Sequence, residues 1–202
     1  MSAPDAEVCD YLDYQPGFLG AAEATALCDR LWRELDWSQR AITLFGREVL
    51  QPRLVAWYGD AGAVYTYSGL TLQPLPWHPA LADLRRRIEV FAGHPFNAVL
   101  ANAYRDGRDS MGWHADDEKE LGPTPAIASV SVGAARAFRF RASRGAPGVR
   151  RPTHALTLEH GSLLVMRPGC QERFRHALPR TARPVGLRIN LTWRNVRVQA
   201  PD

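Results

Sequence analysis

From about residue 96 onward, the chain consists of short runs of β-type residues separated by turn signals. This pattern constrains the fold more than any other feature. The turn signals include Asp-Gly at 106–107, Gly-Pro at 122–123 and Arg-Pro-Gly at 167–169. Many short strands with such punctuation are typical of a β-sandwich or barrel. The predicted strands are 98–104, 127–132, 137–141, 156–158, 162–166 and 187–193.

The first third of the chain has helical periodicity instead. Leu27, Leu31 and Leu35 recur at four-residue intervals, and a second apolar stripe runs from Leu81 to Phe91. Both stripes predict amphipathic helices that pack against a core. Between them, the aromatic and glycine-rich residues 57–69 predict turns and loops over a site, with buried core aromatics as the alternative.

Length and composition favour a single domain, residues 1–202. A chain of 202 residues that is 46% hydrophobic can bury a full core. No apolar run reaches the roughly 18–20 residues of a membrane span, and the N-terminus lacks the features of a signal peptide. Three cysteines without C-x-x-C spacing argue against a disulfide framework or zinc ribbon. We therefore expect a cytoplasmic protein without membrane contact, and in the simplest case a monomer.

Positive charge is concentrated in one segment. The net charge of +4 favours a polyanionic partner. Residues 136–151 contain no acidic residue, and a phosphate-binding surface and a solvated edge strand with its loop explain this equally well. The arginines of this segment are Arg136, Arg139, Arg141, Arg144, Arg150 and Arg151.

One predicted strand has an unusual polar face. Arg188, Asn190, Thr192 and Arg194 alternate with apolar residues. On an edge strand, this face would simply meet solvent. Inside a barrel, the two guanidinium groups would need anionic partners, and a dicarboxylate co-substrate would provide them.

His114-Ala-Asp116 is a candidate metal site. Residues i and i+2 of a strand share a face, so these two side chains can hold one ion from one side. A second histidine would complete the two-histidine, one-carboxylate set of non-haem Fe(II) oxygenases. His176 precedes the arginine strand by twelve residues, which suits a strand, a turn and a return strand. The poorer candidates are His78, His94, His154 and His160.

These motifs together resemble the AlkB family, the Fe(II)- and 2-oxoglutarate-dependent dealkylating dioxygenases. The resemblance covers roughly residues 40–195 and is strongest to the DNA-repair homologues. It includes Tyr58-Gly-Asp-Ala-Gly, Tyr65-Thr-Tyr-Ser-Gly69 and His114-Ala-Asp-Asp-Glu118. The metal and co-substrate motifs are Asn102-x-Tyr104, His114-x-Asp116, His176, and R-x-N-x-x-x-R through Arg188, Asn190 and Arg194.

The resemblance implies a mostly β (α+β) fold with a double-stranded β-helix, or jelly-roll, core over about 96–197. Helices and a nucleotide-recognition lid would occupy about 1–95. It also implies that His114, Asp116 and His176 bind Fe(II). Arg188 would pair with the distal carboxylate of 2-oxoglutarate. Tyr104 and Asn190 would assist it, with Asn102 and Arg194 near the metal-chelating end.

The resemblance further implies that the protein consumes O2 to repair alkylated bases such as 1-methyladenine and 3-methylcytosine. For the flipped base we predict a pocket of Tyr65, Tyr67, Asp117 and Glu118, with a solvated acidic loop as the alternative for the two carboxylates. Tyr67 stands where a phenylalanine is expected. The predicted DNA contacts are Phe45, Gly46, Arg144, Arg150 and Arg151, with a plain hairpin and a core phenylalanine as the alternative at Phe45.

Three other functions stay open. The same chemistry would also suit RNA or single-stranded nucleic acid. The protein could instead be a catalytically silent nucleic-acid-binding module, although the intact triad argues against this. A cupin-like protein with a structural metal is disfavoured by Arg188 and Arg194.

Overall fold

The computed structural model describes residues 6–44, 47–67, 70–143 and 153–197. These residues form a short 3-10 helix at Lys119–Leu121 and four α-helices: α1 (Ala6–Cys9), α2 (Ala21–Glu34), α3 (Pro79–Ala92) and α4 (Cys170–Arg173). The first seven strands are β1 (Leu12–Gln15), β2 (Ala41–Leu44), β3 (Arg47–Leu50), β4 (Leu54–Gly59), β5 (Tyr65–Tyr67), β6 (Leu70–Leu72) and β7 (Ala98–Tyr104). The others are β8 (Met111–His114), β9 (Ile127–Gly133), β10 (Arg136–Ala142), β11 (His154–Leu158), β12 (Ser162–Met166), β13 (Phe174–Leu178) and β14 (Arg188–Arg194).

Most strands belong to two antiparallel sheets. The larger, six-stranded sheet has the order β1-β12-β9-β14-β7-β4, and the smaller has the order β11-β10-β13-β8. Two hairpins, β2-β3 and β5-β6, form separate two-stranded sheets. The predicted sandwich and all six predicted strands are therefore confirmed, with ends shifted by at most two residues. The large sheet also takes β1 and β4 from the first third of the chain, so the sheet extends beyond the segment expected to form the core.

Helices α2 and α3 cover the outer face of the large sheet. Leu31 of α2 and Leu81 and Ile88 of α3 are fully buried in the same apolar cluster as Leu191 and Trp193 of β14. The two apolar stripes thus form packing faces, as predicted, except at Phe91, which is 42% exposed at the end of the second stripe. None of the described helices is long and apolar enough to span a membrane.

The ends of α3 follow ordinary capping rules. The side chain of His78 accepts a hydrogen bond from the Ala80 backbone N–H, and Pro79 occupies the first turn, where it needs no N–H partner. Gly93 ends the helix in the left-handed conformation at φ 66°. A side chain at this position would be strained, which explains the glycine.

The prediction of turns and loops for the glycine-rich residues 57–69 is wrong in part. Trp57 and Tyr58 lie on β4 within the large sheet, and both are buried. Tyr65 is buried on β5 and stacks on Trp57 with ring centroids 4.9 Å apart. The core-aromatic alternative is therefore correct for these three rings, because their burial outweighs the local turn signals.

The inner faces of the two sheets enclose a second apolar cluster. Phe140 and Phe174 come from the small sheet, and Leu100 and Leu164 come from the large one. The polar side chains of β7 and β14 interrupt this cluster on the large-sheet side. They define the position of the candidate site, between the two sheets.

Candidate metal and co-substrate site

The structure brings His114, Asp116 and His176 together. His114 ends β8 and lies directly opposite His176 in the β8–β13 ladder. The ligand atoms of the three residues all lie within 4.8 Å of one another. In the described part of the chain, this is the one group of His, Cys, Asp or Glu residues with metal-site geometry.

Asp116 does not lie on the strand, contrary to the prediction. Strand β8 ends at His114, and Asp116 follows in a loop. Its Oδ1 still lies 3.6 Å from His114 Nε2 and 3.9 Å from His176 Nε2. Its Oδ2 accepts a hydrogen bond from Arg194 Nη2 at 2.7 Å. One carboxylate oxygen is thus held by arginine, while the other faces the two imidazoles.

The histidines are prepared to act as neutral ligands. His114 Nδ1 donates to the Gly112 carbonyl oxygen at 2.9 Å, which leaves the lone pair on Nε2 available for an ion. Burial lowers the pKa of His176 to about 3 and also lowers the pKa of His114. Two neutral imidazole nitrogens and one carboxylate oxygen on one side are the donors that suit non-haem Fe(II).

Arg194 keeps Asp116 ionised. Burial by itself would raise the pKa of this carboxyl, but the charge of Arg194 holds it below its usual value. Burial would likewise lower the pKa of Arg194, and the Asp116 carboxylate more than compensates. Each charge therefore offsets the cost of burying the other.

The polar face of β14 points inward. Strand β14 is paired on both sides, by β7 and β9, and Arg188 and Arg194 are only 1% and 4% exposed. Register places Arg188 opposite Tyr104 and Asn190 opposite Asn102. The prediction that this polar face lies in the interior of the fold is therefore correct, and the edge-strand alternative is wrong.

Arg188 is a buried cation with few partners. Its Nη2 donates to Ser131 Oγ at 2.9 Å, and its guanidinium lies 5.3 Å from the Tyr104 ring centroid. Its Nε has no hydrogen-bond partner among the described residues, and none of their carboxylates pairs with it. Burial lowers its pKa to about 10, so the group is still charged at neutral pH. A buried charge of this kind requires an anion.

A cavity that is partly open to solvent joins the three candidate metal ligands to Arg194 and to the polar side chains of β7 and β14, and Arg188 is not among its lining residues. The large sheet contributes polar side chains, and the small sheet contributes aromatic ones. Chief among the lining residues are Asn102, Tyr104, Asn190, Arg194, Phe138 and His176.

The four residues predicted for the base pocket differ in their burial and in their contacts. Tyr65 is buried, with its hydroxyl hydrogen-bonded to the Glu118 carboxylate and its ring centroid 5.3 Å from the Arg194 guanidinium. Burial, and then the nearby Asp116, raise the pKa of Glu118. Asp117 is exposed, as in the solvated-loop alternative. The side chain of Tyr67 lies outside the described residues.

The predicted DNA contacts Phe45, Gly46, Arg144, Arg150 and Arg151 also lie outside the described residues. The described arginines of the same basic segment divide into two groups. Arg139 is exposed on the small sheet, and Arg141 stacks over Trp113 at 4.3 Å. Arg136 is instead buried and donates to the carbonyl oxygens of 106, 109 and 179. Arg136 is thus a structural residue and no part of a phosphate-binding surface.

Sequence reasoning missed Arg53. It is buried immediately before β4, and its Nε donates to Asn102 Oδ1 at 2.8 Å. This hydrogen bond fixes the side chain of Asn102 in the cavity wall. An arginine after Gln51-Pro52 has no local signal of this role, because the contact spans 49 residues.

Comparisons with known proteins agree with this donor set. The family model of the 2OG-Fe(II) oxygenase superfamily matches residues 12–194. The chain belongs to this superfamily. It is 40% identical to human alpha-ketoglutarate-dependent dioxygenase alkB homolog 3, over 94% of this chain and 66% of that protein. It is 43% identical to DNA oxidative demethylase ALKBH2 of Mus musculus, over 93% of this chain and 80% of that protein.

These matches confirm the predicted AlkB resemblance. The chain spans about two thirds of the length of the alkB homolog 3 proteins that it matches. The solved structure of OsALKBH1 aligns with a TM-score of 0.61 at 17% identity, over 92% of this chain and 98% of that one. This likeness concerns the fold alone and confirms the predicted jelly-roll. Fe(II), 2-oxoglutarate and O2 are the cofactor and co-substrates of this oxygenase superfamily, as predicted.

Proposed function

We propose that this oxygenase removes alkyl groups oxidatively from N-alkylated bases in DNA, of the 1-methyladenine and 3-methylcytosine type. The observation that carries the proposal is Arg188, a buried cation on the same strand face as Arg194, which holds the Asp116 carboxylate. A dicarboxylate co-substrate supplies the anion that Arg188 lacks. The similarity to a DNA oxidative demethylase supports DNA as the substrate.

In this proposal, the large sheet binds 2-oxoglutarate. Arg188 pairs with the distal carboxylate, and Tyr104 and Asn190 complete that end of the cavity. Asn102 and Arg194 lie nearer the metal-chelating end, where Arg53 holds Asn102. The side chains of Asn190 and Ser129 are already hydrogen-bonded at 2.7 Å, so this wall is largely preorganised.

His114, Asp116 and His176 hold the iron. When bound, iron with 2-oxoglutarate and O2 supplies the oxidising power that hydroxylates the N-alkyl carbon. The residues of the chain bind and orient the reactants. The Arg194–Asp116 pair keeps the carboxylate fixed and ionised, and the apolar small-sheet wall at Phe138 limits the access of water.

The base has to leave the duplex to reach this cavity, because its alkylated edge is otherwise hidden. Glu118, held by Tyr65, brings a carboxylate toward a cationic lesion, and Asp117 and Tyr67 complete the proposed pocket. Phe45 with Gly46 would fill the gap left by the flipped base. Arg144, Arg150 and Arg151 would contact the backbone, so binding should weaken steeply with salt.

The test is anaerobic reconstitution with Fe(II), followed by assays of succinate and formaldehyde after addition of O2. The substrates are 3-methylcytosine oligonucleotides as duplex DNA, single-stranded DNA and RNA. Turnover on duplex DNA is expected, and it should be abolished in His176→Ala. His94→Ala, which replaces a histidine outside the site, should retain it.

Each alternative gives a different result. Turnover confined to single strands or RNA would replace the DNA-duplex substrate and contradict the role of Phe45. Tight DNA binding without succinate formation would indicate a silent binding module. Activity retained in His176→Ala would mean that the metal triad is wrong.

A further inference from the structure

The backbone N–H of Asp116 is a buried donor without a strand partner. Strand β8 ends at His114, and its pairing with β13 runs from Met111–Leu178 to His114–His176, so it does not reach Asp116. The sheet ladder therefore does not satisfy this group, although Asp116 is buried. A buried amide left without an acceptor is costly, so another group has to accept its hydrogen bond.

Gln171 accepts this hydrogen bond. Its Oε1 lies 2.9 Å from the Asp116 nitrogen, and its Nε2 lies 3.4 Å from the sulfur of Met166, a residue of the cavity wall. The side chain is only 3% exposed, so water does not replace either contact. Both ends of the amide are thus engaged, which fixes its orientation.

Because Gln171 also lies close in the chain to His176, its hydrogen bond to Asp116 connects two parts of the proposed metal site. The residue belongs to α4, a single turn that leads directly into β13, five residues before His176. The hydrogen bond therefore joins the loop that carries one metal ligand to the segment that carries another. Arg194 fixes the far oxygen of the same carboxylate. Together the two contacts set both the backbone and the side chain of Asp116.

We propose that Gln171 is a positioning residue for the metal centre, which holds Asp116 at the distance that ion binding requires. The inference rests on the metal site proposed above. Groups that orient metal ligands from behind typically contribute about 10- to 100-fold to metal affinity. Loss of the Gln171 acceptor should therefore weaken metal binding much more than it weakens the fold.

The test measures Mn(II) binding to the full chain by the loss of the electron paramagnetic resonance signal of the free ion. Gln171→Met removes the acceptor at nearly constant volume, and Gln171→Asn keeps the amide but withdraws it by one methylene. Both variants should show an Mn(II) Kd raised by about 10-fold or more. The Asn variant retains polarity, so it keeps the test available if the Met variant does not fold.

Tyr14→Phe is the matched control. The Tyr14 hydroxyl also joins distant backbone groups, since it donates to the Thr157 carbonyl and accepts from the Glu159 N–H, but it contacts no residue of the site. This variant should lose stability to urea without a change in Mn(II) Kd. A folded Gln171 variant that binds Mn(II) as tightly as the wild type would overturn the inference. Failure of the wild type to bind Mn(II) would instead overturn the metal site itself.

Discussion

At the scale of single residues, the buried arginines differ in how fully their charges are compensated. Four are buried in the described part of the chain. Arg194 has a carboxylate, Arg136 has three carbonyl oxygens, and Arg53 donates to an amide oxygen. Arg188 has one hydroxyl group and the face of a tyrosine ring. Because burial without an anion is costly, Arg188 is the arginine whose surroundings most require a ligand.

Arg188→Lys tests this requirement. Lysine retains the positive charge but loses the planar pair of donors that matches a carboxylate. We expect the KM for 2-oxoglutarate to rise by about 10- to 100-fold, with a smaller change in kcat. Succinate release at varied 2-oxoglutarate concentration measures it. Arg139→Lys, an exposed substitution on the small sheet, is the control, and equal KM values for the two variants would contradict the assignment.

At the scale of elements, the loop between β7 and β8 connects the proposed co-substrate wall to the proposed metal ligands. Its geometry depends on Asp109, which accepts hydrogen bonds from the Arg105 backbone at 2.9 Å and from the Arg105 side chain at 2.8 Å. Arg136 of β10 donates to carbonyl oxygens at both ends of the same turn. The turn is therefore specified by charge and hydrogen bonding, with little apolar burial.

Asp109→Asn should alter the acid stability of the protein. Burial would raise the pKa of Asp109, but the hydrogen bonds from Arg105 lower it below its usual value. Because the folded-state pKa is the lower one, the ion pair stabilises the fold fully above about pH 4. This contribution is lost as the pH falls below that value toward the folded-state pKa.

The asparagine variant cannot titrate at this position. We expect it to be less stable than the wild type at pH 7 by about 1 kcal/mol, a value reduced because Arg105 is partly exposed. The difference should shrink at pH 3. Urea unfolding at the two pH values measures it, and a constant difference would show that Asp109 does not contribute through its charge.

At the scale of the whole molecule, the two faces of the large sheet differ in what they contact. The outer face packs against α2 and α3, while the inner face lines the cavity and forms the proposed co-substrate wall. Strand β14 contributes to both, because Ile189, Leu191 and Trp193 point outward between the inward polar residues. Alternate residues of β14 thus contribute to core packing on one face and to the candidate site on the other.

Leu31→Ala tests this division. Leu31 is fully buried in the helix layer, so the cavity left by truncation should lower the free energy of unfolding by about 2–5 kcal/mol. The Mn(II) affinity of the folded protein should stay unchanged, because the site lies on the other face. The control is Leu50→Ala, a truncation at a position that is 59% exposed and should be nearly neutral. A large loss of Mn(II) affinity in Leu31→Ala would show that the two faces are coupled.

Several features were predictable because their signals are local. The strands and the two helices follow from short-range periodicity, and the alternation of β14 identifies its polar face. The triad was predictable from His114 and Asp116 together with the spacing of His176. The position of Asp116 beyond the end of its strand was not, because the strand end is set by pairing with β13.

The sequence by itself determined the class of fold, the proposed ligand set and the two arginines of β14. Only the tertiary structure decided which polar groups are buried and what they contact. Arg53 meets Asn102 across 49 residues, and Gln171 meets Asp116 across 55. Periodicity gives the face on which a side chain lies, whereas its partners depend on which strands pair and in which register. The supporting contacts of this site come from elements distant in sequence, and for that reason they appear only once the chain is folded.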